Sequence, residues 1–315
     1  MSSLIEQAAL RLEQLRQAGV VLPEFEAPPQ QPLPRPLARP AEPPPPLPAV
    51  ATAVLPGVPE PATTSSRRIA IDLEMLAATG IVTPNAPRSH LADQYRVLKR
   101  PLIANAMSKG ATAVAHGNLI MVTSALPGEG KSFTSINLAM SIAAELDHTV
   151  MLVDADVARP SVLRMLGLPP APGLLDLLEG KAEMADVLLK TNIDKLTILP
   201  SGSPHPKATE LLASVSMKQL LDDMATRYAD RILIFDSPPL LLTTESRVLA
   251  SHMGQIVVVV HAGSTLQATV LQALATIESC PIRLMVLNKA RSGAQGSYGN
   301  YGYGYGYGYG YGSGD

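Results

Sequence analysis

The chain has 315 residues, 46% of them apolar, and a formal net charge of −2, so it can bury a large core but has no overall attraction to nucleic acid or an anionic membrane. Aromatic residues make up 4%, and seven of the nine tyrosines follow residue 297, which argues against a base-stacking surface. The single cysteine, Cys280, excludes an internal disulfide and suits a reducing compartment. No apolar run approaches the roughly 18 residues of a membrane span, and the first residues lack the apolar core of a secretory signal. We therefore expect a cytoplasmic protein.

Two segments with different patterns precede the main domain. Residues 1–19 begin with a capping box, Ser3 to Glu6, and continue with apolar residues at helical spacing, which predicts an amphipathic helix. Residues 20–67 hold more than half of the 29 prolines and predict a disordered linker, because proline lacks the N–H donor that helices and sheets need. The apolar stripe of the helix needs a partner, which is either the chain's own domain or another protein. The stripe consists of Leu4, Ile5, Ala8, Leu12 and Leu15.

Residues 68–292 alternate short apolar runs with helical patterns. The runs lack polar alternation, as do strands buried on both faces of a parallel sheet. We therefore predict a three-layer α/β domain with a mostly parallel central sheet. The predicted strands cover residues 118–123, 149–153, 196–199, 231–235, 255–260 and 283–287, and the main helices cover 131–146, 209–228 and 266–279.

The last segment, residues 293–315, alternates tyrosine with glycine. A period of two is typical of a strand, but glycine at every second position adds backbone entropy and supplies no side chain to pack. We therefore predict a disordered tail.

A phosphate-binding loop is the clearest motif. Residues 125–132 read ALPGEGKS, which fits the Walker A pattern with alanine in place of the first glycine. The motif follows a predicted strand and opens a predicted helix, a context that an accidental Gly/Pro loop would not have. The predicted α/β domain is therefore similar to P-loop NTPases. Loop N–H groups would hold the phosphates of ATP, Lys131 would reach the β- and γ-phosphates, and Ser132 would bind Mg²⁺. The predicted nucleotide contacts are Gly128, Glu129, Gly130, Lys131, Ser132 and Phe133.

Three aspartates follow two of the predicted strands. Asp154 and Asp156 come directly after one, and Asp236 ends the other. The carboxyl ends of parallel strands share one edge of a sheet, where ligands bind, so these side chains should lie beside the phosphate loop. Phosphoryl transfer needs oxygen ligands for Mg²⁺ and a carboxylate to accept the proton of the acceptor. Helix capping explains one of these aspartates better than it explains all three.

The segments ALPGEGKS, VMLVDADVARP and ILIFDSPP, with the tyrosine-rich C-terminus, resemble the bacterial tyrosine kinases of exopolysaccharide export. The likeness is strongest to the cytoplasmic, exosortase-associated tyrosine autokinases, and it extends from about residue 71 to the C-terminus. It implies that Lys131, Asp154, Asp156 and Asp236 are catalytic, with Asp154 as general base and the other two aspartates acting on Mg²⁺ directly or through water. Arg159 matches the second of two family arginines, whereas Ala158 replaces the first.

The resemblance also implies an assembly and its acceptors. Asp93, Arg96 and Lys99 take the positions of a family Glu-x-x-Arg-x-x-Arg helix that assembles rings, although a solvated charged helix face has the same pattern. Asn288 lies where relatives contact adenine, and loop capping is the alternative. The implied phosphoacceptors, modified in trans, are Tyr298, Tyr301, Tyr303, Tyr305, Tyr307, Tyr309 and Tyr311. The implied partners are other copies of the chain in a ring, a tyrosine phosphatase, and a transmembrane polysaccharide co-polymerase that activates the kinase at the inner face of the plasma membrane.

Two other functions compete with an autokinase. A chromosome-partitioning or septum-positioning ATPase would use the same loop, but such proteins have a signature lysine five residues before the Walker lysine, where this chain has Leu126. That function would also leave the tyrosine tail unexplained. The second alternative is a non-catalytic protein that assembles through its tail. The intact phosphate-binding and metal-binding residues argue against this hypothesis.

Overall fold

The computed structural model describes residues 67–84 and 89–290. The predicted helix 1–19, the linker up to residue 66, and the tail with its seven tyrosines lie outside the described residues. Within the described part of the chain, no helix combines the length and the hydropathy that a membrane span requires.

A seven-stranded sheet lies at the centre of the domain in the order β3-β4-β2-β5-β1-β6-β7, and every pairing is parallel except that of β3 with β4. The strands are β1 Leu119–Ser124, β2 Thr149–Asp154, β3 Leu189–Lys190, β4 Leu196–Leu199, β5 Arg231–Asp236, β6 Gln255–His261 and β7 Ile282–Asn288. The helices are α1 Leu73–Ala78, α2 His90–Ala106, α3 Lys131–Ala143, α4 Val162–Met165, α5 Leu174–Leu178, α6 Met184–Val187, α7 Ala208–Leu212, α8 Val215–Arg227, α9 Glu245–Ala250 and α10 Gln267–Ala275. A 3₁₀ turn covers Gly110–Thr112.

Apolar side chains pack on both faces of this sheet. Met121 and Val153 face the layer that contains α7, α8 and α10, whereas Ile120 and Leu152 face α1, α2 and α3. The runs without polar alternation are explained by this two-sided burial, because neither face of the central strands meets water. The predicted three-layer α/β fold of the P-loop NTPase type is confirmed.

Three helix predictions need correction. The single helix predicted over residues 209–228 is two helices, α7 and α8. The break falls at Ser214, whose hydroxyl accepts a hydrogen bond from Met217 N at 3.2 Å and so caps the start of α8. The other two predicted helices are shorter than expected, since α3 ends at Ala143 and α10 ends at Ala275.

Two strands also differ from the prediction. β3 has only two residues, too few to show a hydrophobic period. β7 was predicted to be buried on both faces, but it lies at the edge of the sheet and its residues alternate in exposure. Met285 and Leu287 are 61% and 65% exposed, whereas Leu284 and Val286 pack against the core.

The predicted assembly face on α2 is only partly exposed. Asp93 and Arg96 are solvent-exposed and pair with each other. Lys99 is 4% exposed, and its ammonium group donates to Ser141 O at 2.5 Å and pairs with Glu145 at 2.6 Å. Lys99 therefore does not lie on an exposed face of the described chain, and its predicted part in assembly stays a prediction. The reason is its position on the buried side of α2, in helical register with Tyr95 and Leu102.

Lys99→Ala should lower the free energy of unfolding by about 1–3 kcal/mol, because a buried carbonyl loses its donor and Glu145 loses its partner. Arg96→Ala is the matched control on the exposed side of the same helix, and it should change stability by less than about 0.5 kcal/mol. Urea unfolding followed by circular dichroism measures both variants. Equal midpoints for the two would mean that the Lys99 contacts add nothing to stability.

Candidate active site

The phosphate-binding loop connects β1 to α3 and is shaped by two glycines. Gly128 and Gly130 have φ angles of 81° and 100°, in the left-handed region that disfavours other residues. A Cβ atom on Gly130 would also collide with the side chain of Asn288. That side chain donates from Nδ2 to Glu129 O at 2.9 Å, so Asn288, at the end of β7, braces the loop. Its predicted contact with adenine stays a prediction.

The side chain of Glu129 stabilises the loop from inside. It is 2% exposed, and its carboxylate accepts hydrogen bonds from Leu126 N at 2.7 Å, from His261 N at 3.3 Å, and from the hydroxyl of Thr265. Because the carboxylate is bound within the loop, the backbone N–H is the group of Glu129 that would make the predicted contact with a phosphate. Phe133, in the first turn of α3, packs its half-buried ring against the core.

Lys131 lies among carboxylates at the carboxyl edge of the sheet. Its Nζ atom is 2.6 Å from Asp156 Oδ2 and 3.7 Å from Asp236 Oδ1. Burial alone would lower the pKa of Lys131, but the charges of Asp236 and Asp156 outweigh it and raise the pKa above its usual value. The lysine is therefore held as a cation where a triphosphate would enter.

Asp154 and Asp236 are buried, and each has one oxygen without a donor. Asp154 Oδ2 accepts from Ser161 N at 3.1 Å and Val162 N at 3.0 Å, and Asp236 Oδ1 accepts from Ser135 Oγ at 3.2 Å. The second oxygen of each carboxylate, Asp154 Oδ1 and Asp236 Oδ2, has no partner among the described residues. Burial, and then the charge of Asp236, raises the pKa of Asp154 to about 7. Burial also raises the pKa of Asp236.

The second oxygen of Asp236 fits a divalent cation. A buried acceptor without a donor costs free energy that a metal ion or its bound water would recover. Ser132 Oγ lies nearby, 3.3 Å from Lys131 Nζ and 2.8 Å from Ser161 Oγ. Within residues 67–84 and 89–290, no group of three or more carboxylate, imidazole or thiolate side chains can hold a metal ion by itself. The donor set therefore suits Mg²⁺, which takes one or two protein oxygens and completes its shell with phosphate and water.

A groove of about 480 Å³ opens beside Lys131 and Asp156. One wall carries the exposed Arg159. An apolar part of the lining includes Pro238, Pro239 and Leu242. A groove with a cation, a carboxylate and a wall of prolines can hold an aromatic ring whose polar end faces the phosphate loop.

The structure brings together most of the predicted site residues. Lys131, Ser132 and the three aspartates lie at one edge of the sheet, and Asn288 reaches the loop from β7. Asp93 and Arg96 lie on the exposed side of α2 and do not join this group. Thr265 and His261 support the loop but were not predicted, because no local motif marks them.

Comparisons with known proteins place the chain in a family. A ParA family model, described as NUBPL iron-transfer P-loop NTPase, matches residues 115–285. The tyrosine-protein kinase YwqD of Bacillus subtilis is 30% identical over 224 residues, which cover 70% of this chain and 91% of YwqD. The chain belongs to the bacterial tyrosine kinases. The predicted resemblance and the predicted enzyme class are confirmed, and the protein is a P-loop tyrosine-protein kinase.

Other relatives match this kinase over different shares of their length. CpsD of Streptococcus agalactiae, also a tyrosine-protein kinase, is 32% identical over 193 residues, 59% of this chain and 82% of CpsD. The tyrosine-protein kinase ptk of Acinetobacter johnsonii is 33% identical over 155 residues, but these cover only 21% of ptk. Among solved structures, the kinase domain of VpsO has 30% identity and a TM-score of 0.51, and the match covers 62% of this kinase and 100% of that chain. The chimerical protein CapA2B2 has 25% identity and a TM-score of 0.55 over 70% of this kinase and 93% of that chain.

Proposed function

We propose that the kinase phosphorylates the tyrosines of its own tail, in trans within an oligomer, and so regulates exopolysaccharide polymerisation and export. The observation that carries the proposal is the groove beside Lys131 and Asp156, with an apolar wall on one side and buried carboxylates behind it. Seven tyrosines separated by glycines follow the last strand and supply acceptors that can enter such a groove singly. Tyrosine-protein kinases among the relatives support the reaction type.

The loop and its lysine would bind the triphosphate of ATP. Backbone N–H groups of Gly128, Glu129 and Gly130 and the start of α3 attract the phosphates. Lys131 exchanges its bond to Asp156 for a bond to the β- and γ-phosphates, since a multiply charged phosphate attracts the ammonium more strongly than one carboxylate does. Ser132, Asp156 and Asp236 would hold Mg²⁺, which when bound supplies positive charge to the phosphate oxygens.

The acceptor tyrosine would lie with its ring against Pro238, Pro239 and Leu242 and its hydroxyl toward the phosphate loop. Asp154 takes the phenolic proton at Oδ1, the oxygen that has no partner among the described residues. The phenolic oxygen forms a bond to the γ-phosphorus as the bond from that phosphorus to the leaving oxygen of ADP breaks. The negative charge of the phenolate oxygen thus passes to the transferred phosphate and to ADP.

Transfer between copies is supported by the reach of the tail. Residues 291–315 could span about 80–90 Å when fully extended, several times the radius of gyration of about 17 Å for a compact domain of roughly 220 residues. We propose that Asp93 and Arg96, both exposed, contact a neighbouring copy, and that Lys99 contributes by holding α2 in place through its pair with Glu145. A transmembrane polysaccharide co-polymerase would activate the kinase and bind residues 1–19 at the cytoplasmic face of the membrane, and a tyrosine phosphatase would reverse the reaction.

Incubation of the full chain with ATP and Mg²⁺, followed by mass spectrometry, tests the acceptor assignment. We expect phosphate on tyrosines after residue 297, because each is followed by glycine and the tail is long enough to reach a neighbouring active site. A chain that ends at residue 292 should bind ATP as the full chain does. Phosphate on serine or threonine alone, or ATP hydrolysis without phosphotyrosine, would contradict the proposal.

A mixing experiment tests transfer in trans. The chain ending at residue 292 supplies an active site without a tail, and the full chain carrying Lys131→Met supplies a tail without an active site. Phosphotyrosine should appear on the Lys131→Met chain only when the two are combined. If neither the mixture nor Lys131→Met alone gives phosphotyrosine while the wild type does, transfer occurs within one chain.

A further inference from the structure

A second cavity lies at the opposite edge of the sheet from the phosphate loop. It has a volume of about 670 Å³, within the range of about 300–1,000 Å³ common for ligand pockets. Thr149 and Arg231, the first residues of β2 and β5, line it. Asp154 and Asp236 end the same two strands, so the length of a six-residue strand, about 17 Å, separates the cavity from the edge that carries the phosphate loop.

Five polar lining residues share one face of the sheet. Thr149 is paired with Arg231, Lys190 with Thr197, and Arg68 with Lys190. Thr197 is paired with Met151, two residues after Thr149 on β2, so the pairs lie on the same side. The strand register therefore places Arg68, Lys190 and Arg231 along one row above the cavity.

The charges of this row are not balanced by the described residues. No ion pair in the described part of the chain involves Arg68, Lys190 or Arg231. Lys195 also lines the cavity, but its ammonium donates to the carbonyls of Glu145 and Leu146. One carboxylate, Asp194, lines the cavity against these four cations. The cavity therefore favours an anion.

Two buried polar atoms at the cavity lack partners. Arg231 Nε and Thr149 Oγ1 are buried and have no hydrogen bond within residues 67–84 and 89–290. The guanidinium of Arg231 lies over the ring of Tyr228, 4.8 Å from its centroid, which fixes its plane. An arginine held in this way presents its N–H groups to a phosphate in a defined geometry, and the Thr149 hydroxyl beside it can donate to another oxygen.

Part of the lining is apolar, which distinguishes the site from one for a bare inorganic anion. Leu188 lines the cavity on the side of Lys190, whereas Val150 and Leu196 also border it but are fully buried. An aromatic ring can pack against Leu188 and the aliphatic stems of the cations while a phosphate on that ring reaches the guanidinium of Arg231. A phosphorylated tyrosine combines both features, because its phosphate carries about −1.5 to −2 charges at pH 7.

We propose that this cavity binds a phosphorylated tyrosine of the kinase's own tail, from the same or a neighbouring copy. The proposal rests on the proposed function, which makes the tail the product of the reaction. The tail has the length to arrive there, since residues 291–315 extend to about 80–90 Å and the sheet is about 17 Å deep along its strands. Glycine follows every tail tyrosine and precedes all but Tyr298 and Tyr301, so one phosphotyrosine can enter without a bulky side chain directly after it.

Fluorescence anisotropy of a labelled peptide tests the site without ATP. The peptide has the sequence of residues 297–305 with a phosphate on Tyr301, and the protein is the full chain after phosphatase treatment and removal of the phosphatase. We expect saturable binding that weakens with added salt, and affinity at least about tenfold lower for the unphosphorylated peptide. Inorganic phosphate should compete only at concentrations at least about tenfold higher than the unlabelled phosphopeptide, because it cannot use the apolar lining.

Three variants locate the binding. Arg231→Gln and Lys190→Gln should each weaken phosphopeptide binding at least about fivefold, and Lys218→Gln, an exposed lysine on α8, should leave it unchanged. Lys190 is exposed, so its variant stays informative if Arg231→Gln fails to fold. Equal affinity of wild type, Arg231→Gln and Lys190→Gln would place the peptide elsewhere, including the catalytic groove, and would overturn the inference. Equal competition by inorganic phosphate and phosphopeptide would overturn the assignment to phosphotyrosine.

The outcome is separable from that of the proposed function, because the peptide carries its phosphate from synthesis. Tail phosphorylation by ATP together with no phosphopeptide binding refutes only the cavity assignment. Phosphopeptide binding that depends on Arg231 and Lys190, together with no tail phosphorylation by ATP, refutes only the autokinase proposal.

Discussion

Lys131→Met should lower the rate of tyrosine phosphorylation at least about 10²–10³-fold, because the variant loses the cation that neutralises phosphate charge in a water-poor site. Lys131 Nζ lies beside the carboxylates at the edge of the sheet, 2.6 Å from Asp156 Oδ2. Methionine has a similar length and no charge, so the substitution tests the charge more than the shape. Phosphotyrosine formed per minute by the purified full chain, with ATP and Mg²⁺, is the measurement.

A second effect of the same substitution follows from the ion pairs. Without the lysine, Asp156 and the buried Asp236 have no neighbouring cation, so the nucleotide-free variant should melt at a lower temperature than the wild type. Circular dichroism at the assay temperature establishes that the variant is folded before its rate is compared. Lys218→Met, on the exposed face of α8, is the control and should keep both rate and melting temperature. A wild-type rate in folded Lys131→Met would show that the loop does not use this lysine.

The sequence predicts which residues meet at the carboxyl edge of the sheet, because these residues belong to short, continuous motifs. The loop residues 125–132 lie between a strand and a helix, and Asp154 and Asp236 end two apolar runs. In a parallel sheet those local facts are sufficient to bring the groups together, since the strands end at the same edge. Their proximity to Lys131 follows from the same arrangement.

The contacts that hold the phosphate-binding loop in place could not be predicted in the same way. Glu129 is bound by the hydroxyl of Thr265, 136 residues away, and Asn288 reaches the loop across 159 residues. Contacts between residues so far apart in the chain depend on which strands are neighbours in the sheet. No local pattern in the sequence predicts such contacts. The burial of Lys99 could not be predicted for the same reason. Lysine is almost never buried unless it is paired, and the sequence does not show which groups pair with it. Its partners, Ser141 O and Glu145, lie at the end of α3 and beyond it.

Asp154→Asn should keep ATP binding and lose about 10²–10⁴-fold in tyrosine phosphorylation, the usual effect of removing a general base. The substitution preserves shape, because the amide oxygen of asparagine can accept the two hydrogen bonds that Ser161 N and Val162 N donate to Asp154 Oδ2. The amide nitrogen then takes the place of Oδ1 and cannot accept a proton. Phosphate transfer to the tail and binding of a fluorescent ATP analogue are measured on the same preparation.

Stability separates the loss of a base from a loss of fold. The folded-state pKa of Asp154 is raised to about 7, from an ordinary value of 3.8, so the ionised aspartate costs stability as the pH rises through this interval. Asparagine does not titrate, and Asp154→Asn should therefore melt at or above the wild-type temperature at pH 8 without nucleotide. Asp156→Asn is the matched comparison, because Asp156 lines the groove and is bound to Lys131. Asp156→Asn should lose phosphorylation whichever group accepts the proton, because Asp156 is proposed to hold Mg²⁺. Phosphorylation of the tail by Asp154→Asn at nearly the wild-type rate would show that Asp154 is not the general base and serves only to hold the chain at Ser161.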